Sequence, residues 1–249
     1  MRRVFLLGGH DLEMETIRQL LEDKGEEYID KDLSWKNAEL SVYYNDMSDV
    51  GALYYGIELR GLPPSGVNYV LVDHHNDNSG KPASIAQVAA VLGVALTRFQ
   101  QLVAANDAGY IDGMRQIGAT DTEIAAVRQK DRQMQGVTAE EEAMAEEEVL
   151  RVALRQGIKV LKTELPHFSP LVDRLYPYGR LLIYNNYELT YYGHGADKLV
   201  TSMARLVEQG AAYYGGKGCA FFGIGAGHFP PETIAAYANQ IVGLLGERC

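Results

Sequence analysis

Cysteine is scarce in this chain: two of its 249 residues, Cys219 inside an apolar run and Cys249 at the last position. Thiols so placed give no disulfide framework and no Cys-rich metal site, and both are expected to be reduced. Long apolar runs are missing too. None approaches the ~20 residues that span a bilayer, and V-F-L-L after Met1-Arg2-Arg3 is too short for the apolar part of a signal peptide. The expectation is a cytoplasmic protein with no membrane partner. Positive charge is in deficit, with 23 Lys and Arg against 33 Asp and Glu and a net charge of −10. A protein that tracks a long duplex needs a basic stripe to release counterions, so long duplex nucleic acid is not expected as a partner. Internal repeats and low-complexity linkers are also absent from the pattern.

What is present is an ordinary globular composition, 47% apolar, enough to bury the core of one large domain or two smaller ones. The first 110 residues alternate strand-like and helix-like segments, which predicts an α/β fold with a parallel sheet. R-V-F-L-L reads as a strand, and L-E-M-E-T-I-R-Q-L-L-E-D-K as a helix closed by Gly25. Further strands are expected at E-E-Y-I-D, A-L-Y-Y-G-I-E-L and V-N-Y-V-L-V, and helices at Ser84 to Leu92 and Ala95 to Ala105. From about 119 to 157 the pattern is helical and charged. There Thr138 with Glu141 forms a capping-box pattern, and the acidic run at 140 to 148 reads as a solvated face without chemistry. The last third predicts a hairpin around Asn185-Asn186, a helix from Asp197 stopping at Gly210, then a strand, a glycine loop and a helix with prolines in its first turn. Residues 1–157, including the helical connector, thus form the first domain, and 158–249 a second, smaller α/β domain.

Only six histidines occur, and two stand side by side in V-L-V-D-H-H-N. They follow an apolar strand, so Asp73, His74 and His75 sit at its carboxyl end, the rim where open α/β sheets bind ligands. Other polar residues end other strands: His10, Asp11 and Glu13 after the first, Glu58 after the third. Asp107 in A-N-D-A-G-Y follows the helix that ends at Ala105. Neighbouring parallel strands lie a few ångströms apart, so such groups converge. Mixed carboxylate and imidazole sets suit Mn²⁺ or Mg²⁺ better than a thiolate-seeking metal. His194 and His167 read as structural, and most of the 16 tyrosines as sheet-packing residues.

V-D-H-H-N with S-I-A-Q-V downstream resembles the signature of the DHH phosphoesterase superfamily. G-G-H-D-L-E resembles its first motif, A-N-D-A-G-Y its fourth, and G-I-G-A-G-H the G-G-G-H loop of the DHH-associated C-terminal domain. The resemblance implies a metal-dependent phosphoesterase with two Mn²⁺ or Mg²⁺ ions. By that likeness Asp11, Glu13, Glu58, His74 and Asp107 are metal ligands, with His10 a further one. His75 would contact phosphate or protonate the leaving group, oriented by Asp73, and Gly225, Gly227 and His228 would hold the substrate. The chain departs from the pattern in placing His10 directly beside the acids and in using Glu13 and Glu58 where aspartate is usual; Asp46 and Asp49 are rivals for the second motif. The substrate implied is a small phosphorylated nucleotide or a very short oligonucleotide, and self-association into a homo-oligomer is compatible with the family. Two other readings stand beside it: a nucleotide-binding regulatory protein on a degenerate DHH scaffold, and an inorganic pyrophosphatase or polyphosphatase. The latter is disfavoured by the few basic residues near the glycine loop, Lys198, Arg205 and Lys217.

Overall fold

The computed structural model describes residues 1–75, 78–216 and 220–246. Lys217, Cys219 and Cys249 lie outside the described residues, as do Asn76 and Asp77 after the histidine pair. The chain divides into two compact units, Met1–Gly136 and Val137–Cys249. Among the described residues no helix is long and apolar enough to cross a membrane.

The first unit is built on a parallel sheet of β1 (Arg3–Leu6), β2 (Glu27–Ile29), β3 (Leu53–Ile57) and β4 (Asn68–Val72), in the order β2-β1-β3-β4. Side chains alternate across the pleat, which sends Val4, Leu6 and Tyr54 to one face and Phe5, Leu7, Tyr55 and Ile57 to the other. Helices α1 (Leu12–Lys24) and α2 (Ser84–Leu92) cover the second face with Ile17, Leu21, Ile85 and Val88. The first face is closed by 3-10 turns between Trp35 and Asp46, through Leu40 and Tyr43. The chain leaves β1 toward β2 on one side and returns to place β3 on the other. A sheet whose winding reverses in this way opens a crevice at the carboxyl ends of the two inner strands.

Two further helices, α3 (Arg98–Gln116) and α4 (Asp121–Met134), complete the unit. The sequence places the third helix at Ala95 to Ala105, and the structure corrects both ends. It starts after Thr97, whose hydroxyl accepts from the Gln100 amide while Gln100 returns the bond to the Thr97 N–H. It continues past Asn106-Asp107 because the break falls later, at Gly109 and Tyr110, where the backbone is non-helical and Tyr110 has φ 55. Asp107 is therefore a helical residue just before a kink rather than a residue after a helix.

The second unit holds a mixed sheet of β5 (Ala153–Arg155), β6 (Ile158–Lys162), β7 (Arg180–Tyr184), β8 (Leu189–Gly193), β9 (Ala212–Gly215) and β10 (Phe221–Ile224), ordered β5-β6-β7-β8-β10-β9. Helices α7 (Ala196–Ser202), α8 (Ala204–Glu208) and α9 (Pro231–Leu245) pack on one face around Tyr191, Phe222, Leu199 and Ile241. The expected hairpin around Asn185-Asn186 is the antiparallel β7–β8 pair. The single helix expected from Asp197 is instead two short ones, broken at Met203 with φ −120. The acidic helix α5 (Ala139–Glu148) belongs to this unit, and it is not simply a solvated face. Glu141 and Glu148 are buried, Glu141 against His167 Nδ1 at 2.8 Å and Glu148 accepting from Thr163 Oγ1. Burial alone would raise the Glu141 carboxyl, but the Thr138 amide and the His167 ring outweigh it and hold it below the usual range. Helix α6 (Ser169–Leu175) follows, its first turn marked by Pro170.

Candidate metal centre

Every exit from the parallel sheet leads to a polar side chain. After β1 the chain passes Gly8 and Gly9, both required by close approach: a Cβ on Gly8 would lie 2.4 Å from the Ile57 carbonyl oxygen. Asp11 then caps α1, its Oδ1 accepting from the Met14 N–H at 2.8 Å. Glu13, in the first turn, is buried, and its Oε1 accepts from the Ile85 N–H at 3.0 Å, at the start of α2. A helix N-terminus favours a carboxylate there. Glu58 follows β3 with φ 53, a left-handed conformation that costs a non-glycine residue about 1–3 kcal/mol and is concentrated at functional sites. Its Oε1 accepts from Ser84 Oγ at 2.7 Å.

His74 stands at the centre. Its Nε2 lies 2.5 Å from Asp107 Oδ2, 3.5 Å from Glu58 Oε1 and 3.7 Å from Glu13 Oε2. Burial by itself would lower the imidazole pKa, but contacts with Asp107, Glu13 and Glu58 outweigh it and push it up to about 12. The same crowding acts in reverse on the acids. Burial drives the Asp11 and Glu13 carboxyls well above their usual range, and the charges of Asp107 and Glu58 add to it. Carboxylates that share a buried site resist ionising together unless a cation neutralises them.

His75 is turned differently. Its side chain is 42% exposed, its Nδ1 lies 3.2 Å from Asp73 Oδ1, and its backbone N–H donates to that oxygen at 2.9 Å. Asn78 Nδ2 donates to the other Asp73 oxygen at 2.8 Å. Burial would raise the Asp73 carboxyl, yet these donors outweigh it and hold it below the usual range.

Glu58, His74, His75 and Asp107 each offer a ligand atom, all within 4.8 Å of one another. Glu13 Oε2, His74 Nε2 and Asp107 Oδ2 are buried and make no hydrogen bond. Even the close His74–Asp107 pair is not aligned as one. Such atoms cost about 1–3 kcal/mol each when left without a partner, and their convergence fits a divalent cation. An imidazole among carboxylates, with a second imidazole at its edge, forms a donor set for hard to intermediate ions. His10 is not in this group: its Nδ1 is 4.0 Å from Asp32 Oδ1. The rivals for the second motif are paired elsewhere, Asp46 with Lys31 at 2.5 Å and Asp49 with Arg2 at 3.1 Å. In the second unit, Gly225 is bonded to the Ala211 carbonyl at 3.0 Å, Gly227 has φ 85, and His228 is exposed between β10 and α9.

Sequence reasoning missed the residues that brace these ligands. Ser84 bonds Glu58, the Ile85 amide bonds Glu13, and Gln87 Nε2 donates to the Asp73 carbonyl at 3.1 Å. All lie in S-I-A-Q-V, where the signal was visible. No signal marked Arg128, whose Nη1 donates to Asn106 Oδ1 at 3.0 Å and to Asp131 Oδ2 at 2.5 Å while its guanidinium lies over the Tyr110 ring.

No family model matches the sequence, and no curated protein matches it. Among solved structures, the chain is similar to a DHH-domain protein described as a member of a family of ribosomal proteins, with a TM-score of 0.54 and 13% identity over 99% of this chain and 88% of that one. It is also similar to RecJ in complex with Mn²⁺ from Thermus thermophilus, with a TM-score of 0.50 and 12% identity. There the alignment covers 99% of this chain but 53% of RecJ, about half of that protein's length. At such identities the likeness is one of fold, and it extends over both units.

Proposed function

We propose that this chain, which has the fold of DHH-domain proteins, is a divalent-metal-dependent phosphoesterase acting on a small phosphorylated nucleotide or a very short oligonucleotide. The observation that carries the reading is the convergence of buried, unbonded Glu13, His74 and Asp107 atoms beside Glu58 at the carboxyl rim of the sheet. Asp11, Glu13, Glu58, His74 and Asp107 hold the ions, two of them and preferably Mn²⁺. When bound, such ions supply Lewis acidity toward a phosphoryl oxygen and toward water.

The remaining work falls to side chains of the chain itself. His75 is exposed, and its Nδ1 faces Asp73, which leaves Nε2 to meet the departing oxygen and give it a proton. Asp73 is a positioning residue: it fixes the ring through both the His75 amide and Nδ1. In the second unit, the loop with Gly225, Gly227 and His228 is the substrate-holding element, since a glycine-rich turn and an imidazole suit phosphate; the Gly225 N–H is engaged by the Ala211 carbonyl, so Gly225 serves the shape of the loop. The net charge of −10 favours a small ligand over a long polymer.

The test is hydrolysis of a panel containing pAp, dinucleotides, a p-nitrophenyl phosphodiester and pyrophosphate. Turnover of a nucleotide that EDTA abolishes and Mn²⁺ restores supports the proposal. Absence of turnover on every member, in protein shown to bind Mn²⁺, contradicts it and favours a regulatory nucleotide-binding role.

A further inference from the structure

Trp35 is the chain's single tryptophan, and it is 41% exposed. It contributes to neither hydrophobic core of its unit. An exposed aromatic side chain is by itself ordinary in a folded protein; what separates this one is where it is held. Its indole meets the His75 ring edge-on, with centroids 5.7 Å apart and planes at 68°. Below it lies the glycine turn that leads into Asp11 and Glu13. A Cβ on Gly9 would be 2.7 Å from the indole Cδ2 and 3.0 Å from Cγ, so the ring rests on bare backbone that only glycine can offer. The segment before the tryptophan is fastened to the same turn. Gly9 and Leu33 form a parallel bridge, and the His10 N–H donates to the Leu33 carbonyl at 2.8 Å. The loop that presents two acids of the metal centre therefore also fixes a large planar apolar surface at its rim.

We infer that Trp35 is a stacking subsite for a nucleobase carried by the substrate, beside the site of phosphoester chemistry. This rests on the phosphoesterase reading and sharpens it: a planar aromatic group joined through a sugar to the phosphate at His75 can lie against the indole. A base suits it better than an aliphatic group, because every base has a π-face and stacking tolerates any of them. Stacking of ordinary strength changes binding by about ten- to a hundredfold. Sequence preference among bases is therefore expected to be weak, while preference for a base over none is strong.

The test uses the full chain with Mg²⁺ and the emission of its only tryptophan. The probes are 5′-AMP and ribose 5-phosphate, which share the phosphate and differ in the base. AMP is expected to quench the emission and to bind more tightly, by about tenfold or more. Trp35→Leu is expected to remove that advantage in calorimetry while ribose 5-phosphate binds as before, and Trp35→Phe to keep most of it. The wild-type quenching needs no substitution, and the phenylalanine variant guards against a leucine variant that does not fold. Equal binding of AMP and ribose 5-phosphate to the wild type, or undiminished AMP binding by Trp35→Leu, overturns the subsite and leaves the phosphoesterase reading intact. If neither probe binds to metal-loaded protein, both fall together.

Discussion

Glu58 occupies a left-handed backbone position with φ 53, its side chain 2% exposed, while its carboxylate faces both His74 and His75. A buried carboxylate in that setting needs every donor it can find, and Ser84 supplies one at 2.7 Å. Partners that orient a ligand in this way typically contribute about 10–100-fold to metal affinity. Ser84→Ala is accordingly expected to weaken Mn²⁺ binding by that factor in calorimetry. An unchanged affinity would mean that Glu58 holds no ion. Glu141 provides a contrast away from the site. Its carboxyl is held below the usual range in the fold, so its contribution is complete above the unfolded value of 4.5 and disappears as acid protonates it in the native state. Thermal melts from pH 6 down to 3 are expected to show a shallower acid-side decline for Glu141→Gln than for the wild type; parallel declines would remove His167 and Thr138 as its stabilising partners. Its burial is not legible in the sequence, because a capping box and a run of glutamates look alike whether the helix faces solvent or a neighbour.

At the scale of elements, strand ends are the readable feature. The apolar runs of β1, β3 and β4 show where each strand stops, and the polar residues that follow are then collected by the sheet's spacing. The brace from α2 is half visible: Ser84, Ile85 and Gln87 stand together in the sequence, but which carboxylate each one serves depends on register with α1 and β3. The end of α3 is misleading because Asn-Asp-Ala-Gly resembles a helix stop, whereas packing carries the helix through a kink. Arg128 of α4 braces that kink, bonding Asn106 and Asp131 and lying over Tyr110. The guanidinium and its Asp131 partner are largely buried, and removing one member of such a pair costs about 3–5 kcal/mol. Arg128→Leu is therefore expected to lower unfolding stability in urea by about that amount and to weaken Mn²⁺ binding through Asp107. A loss within about 0.5 kcal/mol, the ordinary range for a surface residue, would show that the kink is held by other contacts.

For the molecule as a whole, composition allows one large domain or two smaller ones, and the chain folds into two compact units, each packed around its own sheet. Overall charge says little about fold but much about ligands: an acidic surface repels a polyanion while a buried cluster of acids attracts a dication. The sequence anticipates that polar residues at neighbouring strand ends meet, but which ones do is a property of the sheet order: the folded chain brings His74 Nε2 within 2.5 Å of Asp107, 3.5 Å of Glu58 and 3.7 Å of Glu13. The decisive measurement is a crystal structure of the Mn²⁺-soaked protein with anomalous diffraction recorded at the manganese edge. A peak within bonding distance of His74 Nε2, Asp107 Oδ2 and Glu58, with the direct His74–Asp107 contact replaced by bonds to the ion, is the expected result. A map with no peak at this rim under saturating Mn²⁺, and His74 still paired with Asp107, would contradict it.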